Sequence, residues 1–219
     1  MAVGMAMRGL RPVVEWMYDD FITVCLDPVM NQAAKMRYMT GGQVKVPIVF
    51  RAPIGAGRRN AGQHSQCLEA QFTHIPGLKV VCPSTGADAK GLLKSAIRCD
   101  DPVVFLEHKL LYAKKEEIPD GEYLIPLGKA DVKRPGRDLT ILTWSRQVYS
   151  SLEAAETLAA QGIDAEVVDL RTLVPLDWEA IRASVQKTGN VMVVEEGVRR
   201  GGVGAELAAE IQEELFDDL

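Results

Sequence analysis

Apolar positions in this chain fall into short uninterrupted runs set between amphipathic stretches. RPVVEWM (11–17), VPIVF (46–50), LKVVCP (78–83) and PVVFLEH (102–108) predict strands, most of them buried. Between them, Ile22, Leu26, Val29, Met30, Ala33 and Met36 are spaced for one helical face across 22–38. SQCLEAQFTH (65–74) and ADAKGLLKSAIRCD (87–100) predict two more helices, the first ended by Pro76-Gly77 and the second capped by Ser84 or Thr85. Strands without polar alternation, separated by helices, predict a parallel sheet covered on both faces.

The pattern lapses at KLLYAKKEEIPDGEYLIP (109–126), where charge clusters, two prolines and a glycine interrupt any period. It then restarts. DLTILTWS (138–145), DAEVVDL (164–170) and NVMVVEE (190–196) predict strands; SSLEAAETLAAQG (150–162), DWEAIRASVQKTG (177–189) and GAELAAEIQEELF (204–216) predict helices. Two parallel-sheet α/β domains are expected, 1–110 and 125–219, with a linker at 111–124. The chain opens without an N-cap, and the last helix ends on Asp217-Asp218, where the helix dipole favours cations. Both domains are therefore expected to be incomplete, the first at its N-terminus and the second at its C-terminus.

Composition narrows the function classes. With 25 basic against 30 acidic residues the net charge is −5, which gives no electrostatic case for nucleic acid. No apolar run approaches the ~18 residues that a membrane helix needs, and the first residues carry no cleavage signature. Cys25, Cys67, Cys82 and Cys99 lack any CxxC spacing and read as buried thiols of a reducing compartment: bacterial cytoplasm, or an organelle matrix or stroma.

The candidate chemistry lies in RAPIGAGRRNAGQHSQ (51–66), at the carboxyl end of a predicted parallel strand, where open α/β sheets place ligands. Gly57 and Gly62 have the spacing of a phosphate loop, but Gln63-His64 stands where Lys-Ser/Thr is required. Gly55-Ala-Gly57 lacks the third glycine of a dinucleotide fingerprint, and so does Gly202-Val-Gly204. Both read as tight strand-to-helix turns. His64 precedes a predicted helix whose dipole would make the imidazole less basic; it is either a functional group or a structural loop histidine. Arg58 and Arg59 read as solvating the loop, with anion contact the alternative. His74 and His108 carry less: one ends a helix, the other a strand. Trp16, Tyr18 and Phe21 read as core packing, with a stacking platform the sharper alternative.

Read together, these residues are similar to a known family. AVGMAMRGLRPVVEWMYDDF (2–21), VPIVFRAPIGAGRRNAGQHSQ (46–66), PGLKVVCPSTGADAKGLLKSAIRCDDPVVFLEHKLLY (76–112), VVDLRTLVPLD (167–177) and VVEEGVRRGGVGAEL (193–207) resemble the beta subunit of thiamine-diphosphate-dependent 2-oxo acid dehydrogenases, most closely the pyruvate enzyme. The resemblance implies a transketolase-type pyrimidine-binding domain followed by a transketolase-type C-terminal domain. It implies thiamine diphosphate shared with an alpha subunit in an α2β2 heterotetramer, with magnesium on the alpha subunit, and acetyl transfer to the lipoyl domain of an acyltransferase core. Phe21 matches the aromatic that packs on the aminopyrimidine, and His64 matches the histidine facing substrate and lipoyl arm. Main-chain carbonyls of Ile48, Ala96, Ile97, Cys99 and Asp101 match a potassium site of some members. The family's cofactor-activating glutamate would lie before Met1, so this chain is expected to be an inactive fragment by itself. Branched-chain 2-oxo acid and acetoin dehydrogenase beta subunits, and a non-catalytic scaffold relic, are the alternatives.

Overall fold

A computed structural model describes all 219 residues. The first half opens with α1 (Ala2–Met7), β1 (Val13–Glu15) and a 3₁₀ turn (Asp19–Val24). A π-helical stretch (Pro28–Ala33) then runs into α2 (Ala34–Met39). The predicted apolar face holds for Ile22, Val29 and Ala33, which are buried, while Met30 is exposed. β2 (Val49–Ile54), α3 (Glu69–Thr73), β3 (Lys79–Val81), α4 (Gly86–Arg98) and β4 (Val103–His108) follow. Thr85 caps α4 by accepting from the Asp88 amide at 3.0 Å. The second half contains β5 (Asp131–Arg134), β6 (Leu139–Thr143), α5 (Gln147–Ala159), β7 (Ala165–Asp169), β8 (Thr172–Val174), α6 (Trp178–Thr188), β9 (Val191–Val194) and α7 (Val203–Glu214).

The first sheet has the order β1-β2-β4-β3-β8 and the second β5-β7-β6-β9. Both are parallel except at one edge, where β8 runs antiparallel to β3 and β5 antiparallel to β7. The two parallel-sheet α/β layers expected from the sequence are present, each with one antiparallel edge strand added. β5 and β8 are short and partly polar, so no apolar run announces them. β8, a strand from the second half, completes the sheet of the first.

Side chains of β4 alternate between two apolar clusters. Val104 and Leu106 enter one, Val103 and Phe105 the other, so both sheet faces are covered. The larger cluster of 29 buried residues is continuous across the halves: Phe50, Phe72 and Leu106 share it with Leu142, Val168, Ile181 and Leu207. A polar seam runs beside it. Asp88, 1% exposed, accepts from Arg171 at 2.7 Å and Lys133 at 2.9 Å, and Ser84 donates to buried Asp169. Burial pushes Asp88 up, but hydrogen bonds from Thr85 and Lys133 and the charges of Lys133 and Arg171 outweigh it and hold the carboxyl below its usual range. Asp169, with burial dominant, is pushed up to about 6.

This seam ties the two halves together through buried ion pairs and hydrogen bonds. Arg171→Ala should cost somewhat less than the ~3–5 kcal/mol of a broken buried pair, since Lys133 still faces Asp88. Urea unfolding followed by tryptophan fluorescence, with Trp16 in one half and Trp144 and Trp178 in the other, checks this. A near-neutral change would show that the seam carries no stability.

Candidate active site

β2 and β4 are in register to their carboxyl ends, where Ile54 lies opposite His108. The chain then leaves the sheet and returns, and the Gly55 amide donates to the Gln66 carbonyl at 2.8 Å, closing a compact loop. Gly55 has φ +93, and a Cβ there would lie 2.0 Å from His108 Nε2. Gly57 has φ +101, and its Cβ would lie 2.6 Å from a Leu110 methyl. The glycines therefore admit side chains from the end of β4, not a phosphate.

The loop is pinned at several points. The Ala56 amide donates to Glu196 Oε1 at 2.8 Å. The ammonium of Lys109, itself 2% exposed, donates to the His64 carbonyl and lies 4.9 Å from the Tyr18 ring centroid. Gln66 donates to Asp20 at 2.8 Å, and the Leu68 amide donates to Asp19 at 2.9 Å. His64 closes a 3₁₀ turn (Gly62–His64), and α3 starts only at Glu69. The predicted helix N-terminus at His64 is therefore corrected: the fixed positions come from side-chain pins, and no helix dipole bears on the ring.

Three of the residues singled out in the sequence meet here. The His64 ring stands edge-on to Phe21, with centroids 5.3 Å apart at 89°, and to Tyr18 at 4.4 Å and 70°. Phe21 is 37% exposed, so this aromatic corner lies partly open to solvent. Trp16 departs from it, stacking on Phe50 at 5.3 Å and Phe72 at 5.9 Å in the core. His64 Nδ1 is buried and has no hydrogen-bond partner in the chain. His74 caps the end of α3.

His108, Lys109, Glu196, Asp19 and Asp20 were not read as site residues from sequence. The available signal was a charged run, Glu107-His108-Lys109, ending a strand that reads as buried. His108 donates from Nε2 to Glu196 Oε2 at 2.9 Å, while its Nδ1 accepts from the Leu110 amide at 3.2 Å. The ring is thus held as the Nε2–H tautomer. The bond from His108 is the main reason Glu196 is held down at about 2. Asp19, 0% exposed, is pushed up to about 8 by burial, partly offset by the Leu68 amide and reinforced by Asp20. One oxygen each of Asp19 and Asp20 is buried without a partner.

The second glycine-rich stretch has an equally local explanation. A Cβ on Gly202 or Gly204 would lie 2.8 or 2.7 Å from Glu195 Oε1, and Glu195 Oε2 accepts from the Gly204 amide at 3.2 Å in the first turn of α7. All four cysteines are free thiols. The carbonyls proposed for potassium do not form an open cage. Arg11 donates to Ile97 O at 3.0 Å and Cys99 O at 2.8 Å, the Ile48 carbonyl takes the Val103 amide and the Ala96 carbonyl the Cys99 amide, while the Asp101 carboxylate pairs with Arg37 and Lys79. An ion held by all five carbonyls would have to share or displace the Arg11 guanidinium at two of them.

Comparisons with known proteins agree with this architecture. Residues 1–115 match the transketolase pyrimidine-binding domain, and residues 128–219 match the transketolase C-terminal domain. Both halves are therefore transketolase-type domains. The chain is 52% identical over 218 residues to the beta subunit of acetoin:2,6-dichlorophenolindophenol oxidoreductase of Cupriavidus necator, covering all of this chain and 64% of that one. It is 52% identical over 219 residues to the pyruvate dehydrogenase E1 component subunit beta of Porphyra purpurea, covering 66% of it. The corresponding subunit of Chaetosphaeridium globosum is 50% identical, with 67% covered. Among solved structures, a split gene transketolase, described as an inactive beta4 tetramer, superposes with a TM-score of 0.82 at 26% identity, covering 98% of this chain and 67% of that one. The chain belongs to the transketolase-type beta-subunit family that includes the pyruvate dehydrogenase E1 component subunit beta. It spans about two thirds of the length of these relatives. No helix is long and apolar enough to cross a membrane.

The buried Asp19 carboxyl imposes a sign on stability against pH. Its folded value of about 8 lies above the ordinary carboxylate value, so between about pH 4 and pH 8 the folded state holds the extra proton. Stability contributed in acid is lost as pH rises through that window. Asp19→Asn should remove the loss, so melting scans should find a larger gain in Tm over the wild type at pH 8 than at pH 5. An equal shift at both would show that Asp19 is not held protonated.

Proposed function

We propose that this chain is the beta subunit of the decarboxylating component of a 2-oxo acid dehydrogenase, with pyruvate as the substrate and a lipoyl group as acyl acceptor. The observation that carries the reading is the perpendicular contact of the pinned His64 ring with the partly exposed Phe21 ring. Relatives at about 50% identity support it.

Thiamine diphosphate fits what the residues offer. Phe21 presents an exposed aromatic face for a planar ring. Neither glycine-rich stretch leaves a phosphate cradle, because His108, Leu110 and Glu195 occupy the space beside the glycines. Diphosphate and magnesium accordingly fall to an alpha subunit, and the active unit is an α2β2 heterotetramer. When bound, the cofactor supplies the electron sink that lets a 2-oxo acid lose CO₂. Phe21 packs against its pyrimidine. His64 moves protons: its imidazole gives one to the departing lipoyl sulfur as the disulfide breaks, and regains one from the substrate-derived hydroxyl that becomes the acyl carbonyl. Lys109, Asp19 and Asp20 hold the loop so that the ring stays in place during that exchange. The free thiols support a reducing compartment.

A second reading has its own support, since identity to the acetoin subunit is also 52%. A substrate panel on the enzyme assembled with its alpha partner separates the two. Turnover of acetoin without 2-oxo acids would favour the second reading; no turnover of any would point to a non-catalytic scaffold.

His64 is tested by dividing the reaction. General acid–base help is typically worth ~10²–10⁴-fold. His64→Ala in the assembled enzyme should lower acyl transfer to a lipoyl domain by about that factor, while decarboxylation with an artificial electron acceptor falls far less. Equal losses would move His64 to the decarboxylation step, and no loss would make the loop structural.

A further inference from the structure

Between α4 and the segment that follows β4 lies a cavity of about 390 Å³ for which the proposed reaction has no use. It opens at the carboxyl ends of β3 and β4, and its size falls within the ~300–1,000 Å³ of small-molecule sites. Its floor begins where the apolar cluster beneath α4 ends. Val49 and Phe105 belong to that cluster, and two residues further along β2 and β4 come Arg51 and Glu107. These two neutralise each other through a double bond of Nε to Oε1 at 2.9 Å and Nη2 to Oε2 at 2.8 Å. The Tyr112 hydroxyl adds a bond to Glu107 at 2.7 Å. Pro83, Ala89, Leu93 and Leu111 supply apolar wall.

Two cations of the lining have no counter-ion. Lys45, Lys79, Lys129, Lys133 and Lys187 each pair with a carboxylate, whereas Lys90 and Lys114 are among the lysines that do not. The Lys90 ammonium donates to the Pro119 carbonyl at 2.8 Å and lies 5.0 Å from the Tyr123 ring centroid. That of Lys114 lies 3.5 Å from the Tyr149 ring centroid. These partners are neutral, so both positive charges stay unanswered. The N-terminus of α4 makes no such demand, because Glu116 already accepts from the Gly86 amide at 2.7 Å and the Tyr149 hydroxyl at 2.6 Å. Three cations, Arg51, Lys90 and Lys114, thus face two carboxylates, Glu107 and Glu116, across the cavity. A surplus of one positive charge complements a monoanion better than a phosphate dianion, and the apolar wall calls for an apolar body.

We propose that this cavity binds a small carboxylic acid with an apolar or aromatic body, its carboxylate held by Lys90 and Lys114. Ser84 and His108 also line the cavity and bond across the halves to Asp169 and Glu196, so the ligand would sit against two contacts that join them. The site is independent of the reaction proposed above. Calorimetry on the enzyme assembled with its alpha partner tests it with four probes: benzoate, benzamide, acetate and inorganic phosphate. Benzoate should bind, with benzamide, acetate and phosphate each about tenfold weaker or more, since each lacks the charge, the body or the matching valence. Replacing Lys90 and Lys114 together by glutamine removes two charge-assisted bonds and should raise the Kd for benzoate by about tenfold or more. Reduction of an artificial electron acceptor should be unchanged in that variant. Ala89→Trp, which puts a bulky ring on the wall, should abolish benzoate binding. Benzoate affinity indifferent to the two lysines, benzamide or phosphate binding as tightly as benzoate, or no benzoate binding at millimolar concentration would each overturn the site.

Discussion

The carboxylate of Glu196 is the interaction on which the candidate site depends. It projects from the end of β9 in one half of the molecule and meets groups at the ends of β2 and β4 in the other. One oxygen accepts from the Ala56 amide, the other from His108, with Gln147 adding a longer contact at 3.4 Å. His108 has a side chain only 1% exposed and Glu196 one 19% exposed, so the bond is made where water competes poorly. Burying such a pair costs desolvation, and the low value of Glu196, about 2, says that the bond from His108 more than offsets it. Loss of Glu196 would leave His108 Nε2 buried without a partner, and loss of His108 would leave Glu196 Oε2 with only the longer Gln147 contact.

Several features of the sequence follow from that contact. Gly55 has no side chain because His108 crosses within 2.0 Å of where a Cβ would be, on its way to Glu196. The loop can then be built from small residues without becoming loose, since Glu196 holds its start and Lys109, Asp19 and Asp20 hold its end. The same economy applies to Gly202 and Gly204, which make room for Glu195. In both places a glycine pattern that resembles a nucleotide motif is filled by one of the protein's own side chains.

Much of the fold was legible because burial is written in local pattern. Continuous runs such as PVVFLEH and DAEVVDL can only be strands covered on both faces, and Thr85 and the Asp177/Gly189 pair mark helix ends by chemistry that needs no tertiary context. β5 and β8 escaped because an antiparallel edge strand of three or four residues carries no periodic signal. The site divides the same way. Phe21 and His64 could be singled out, the latter from its position at a strand end, and both from a family resemblance. Ala56 and Glu196 are 140 residues apart and His64 and Lys109 are 45 apart, so their meaning arises only when the chain is folded. Lys109 in particular opens the charge-rich stretch 109–126, yet it is among the most buried side chains in the molecule.

The pins act on the backbone and leave the reactive ring uncommitted. Every hydrogen bond that fixes the His64 segment is made through a carbonyl, an amide or a neighbouring side chain, whereas Nδ1 of the imidazole has no partner within the chain. An imidazole already engaged on that nitrogen would be held in one tautomer, as His108 is, and would exchange protons less freely. The two histidines thus divide the work by what their nitrogens touch: His108 is locked on both sides and serves as structure, and His64 is held only through its main chain and its aromatic neighbours. On the proposed reading, this difference is what lets one loop be rigid enough to aim a proton donor and still leave the proton free to move.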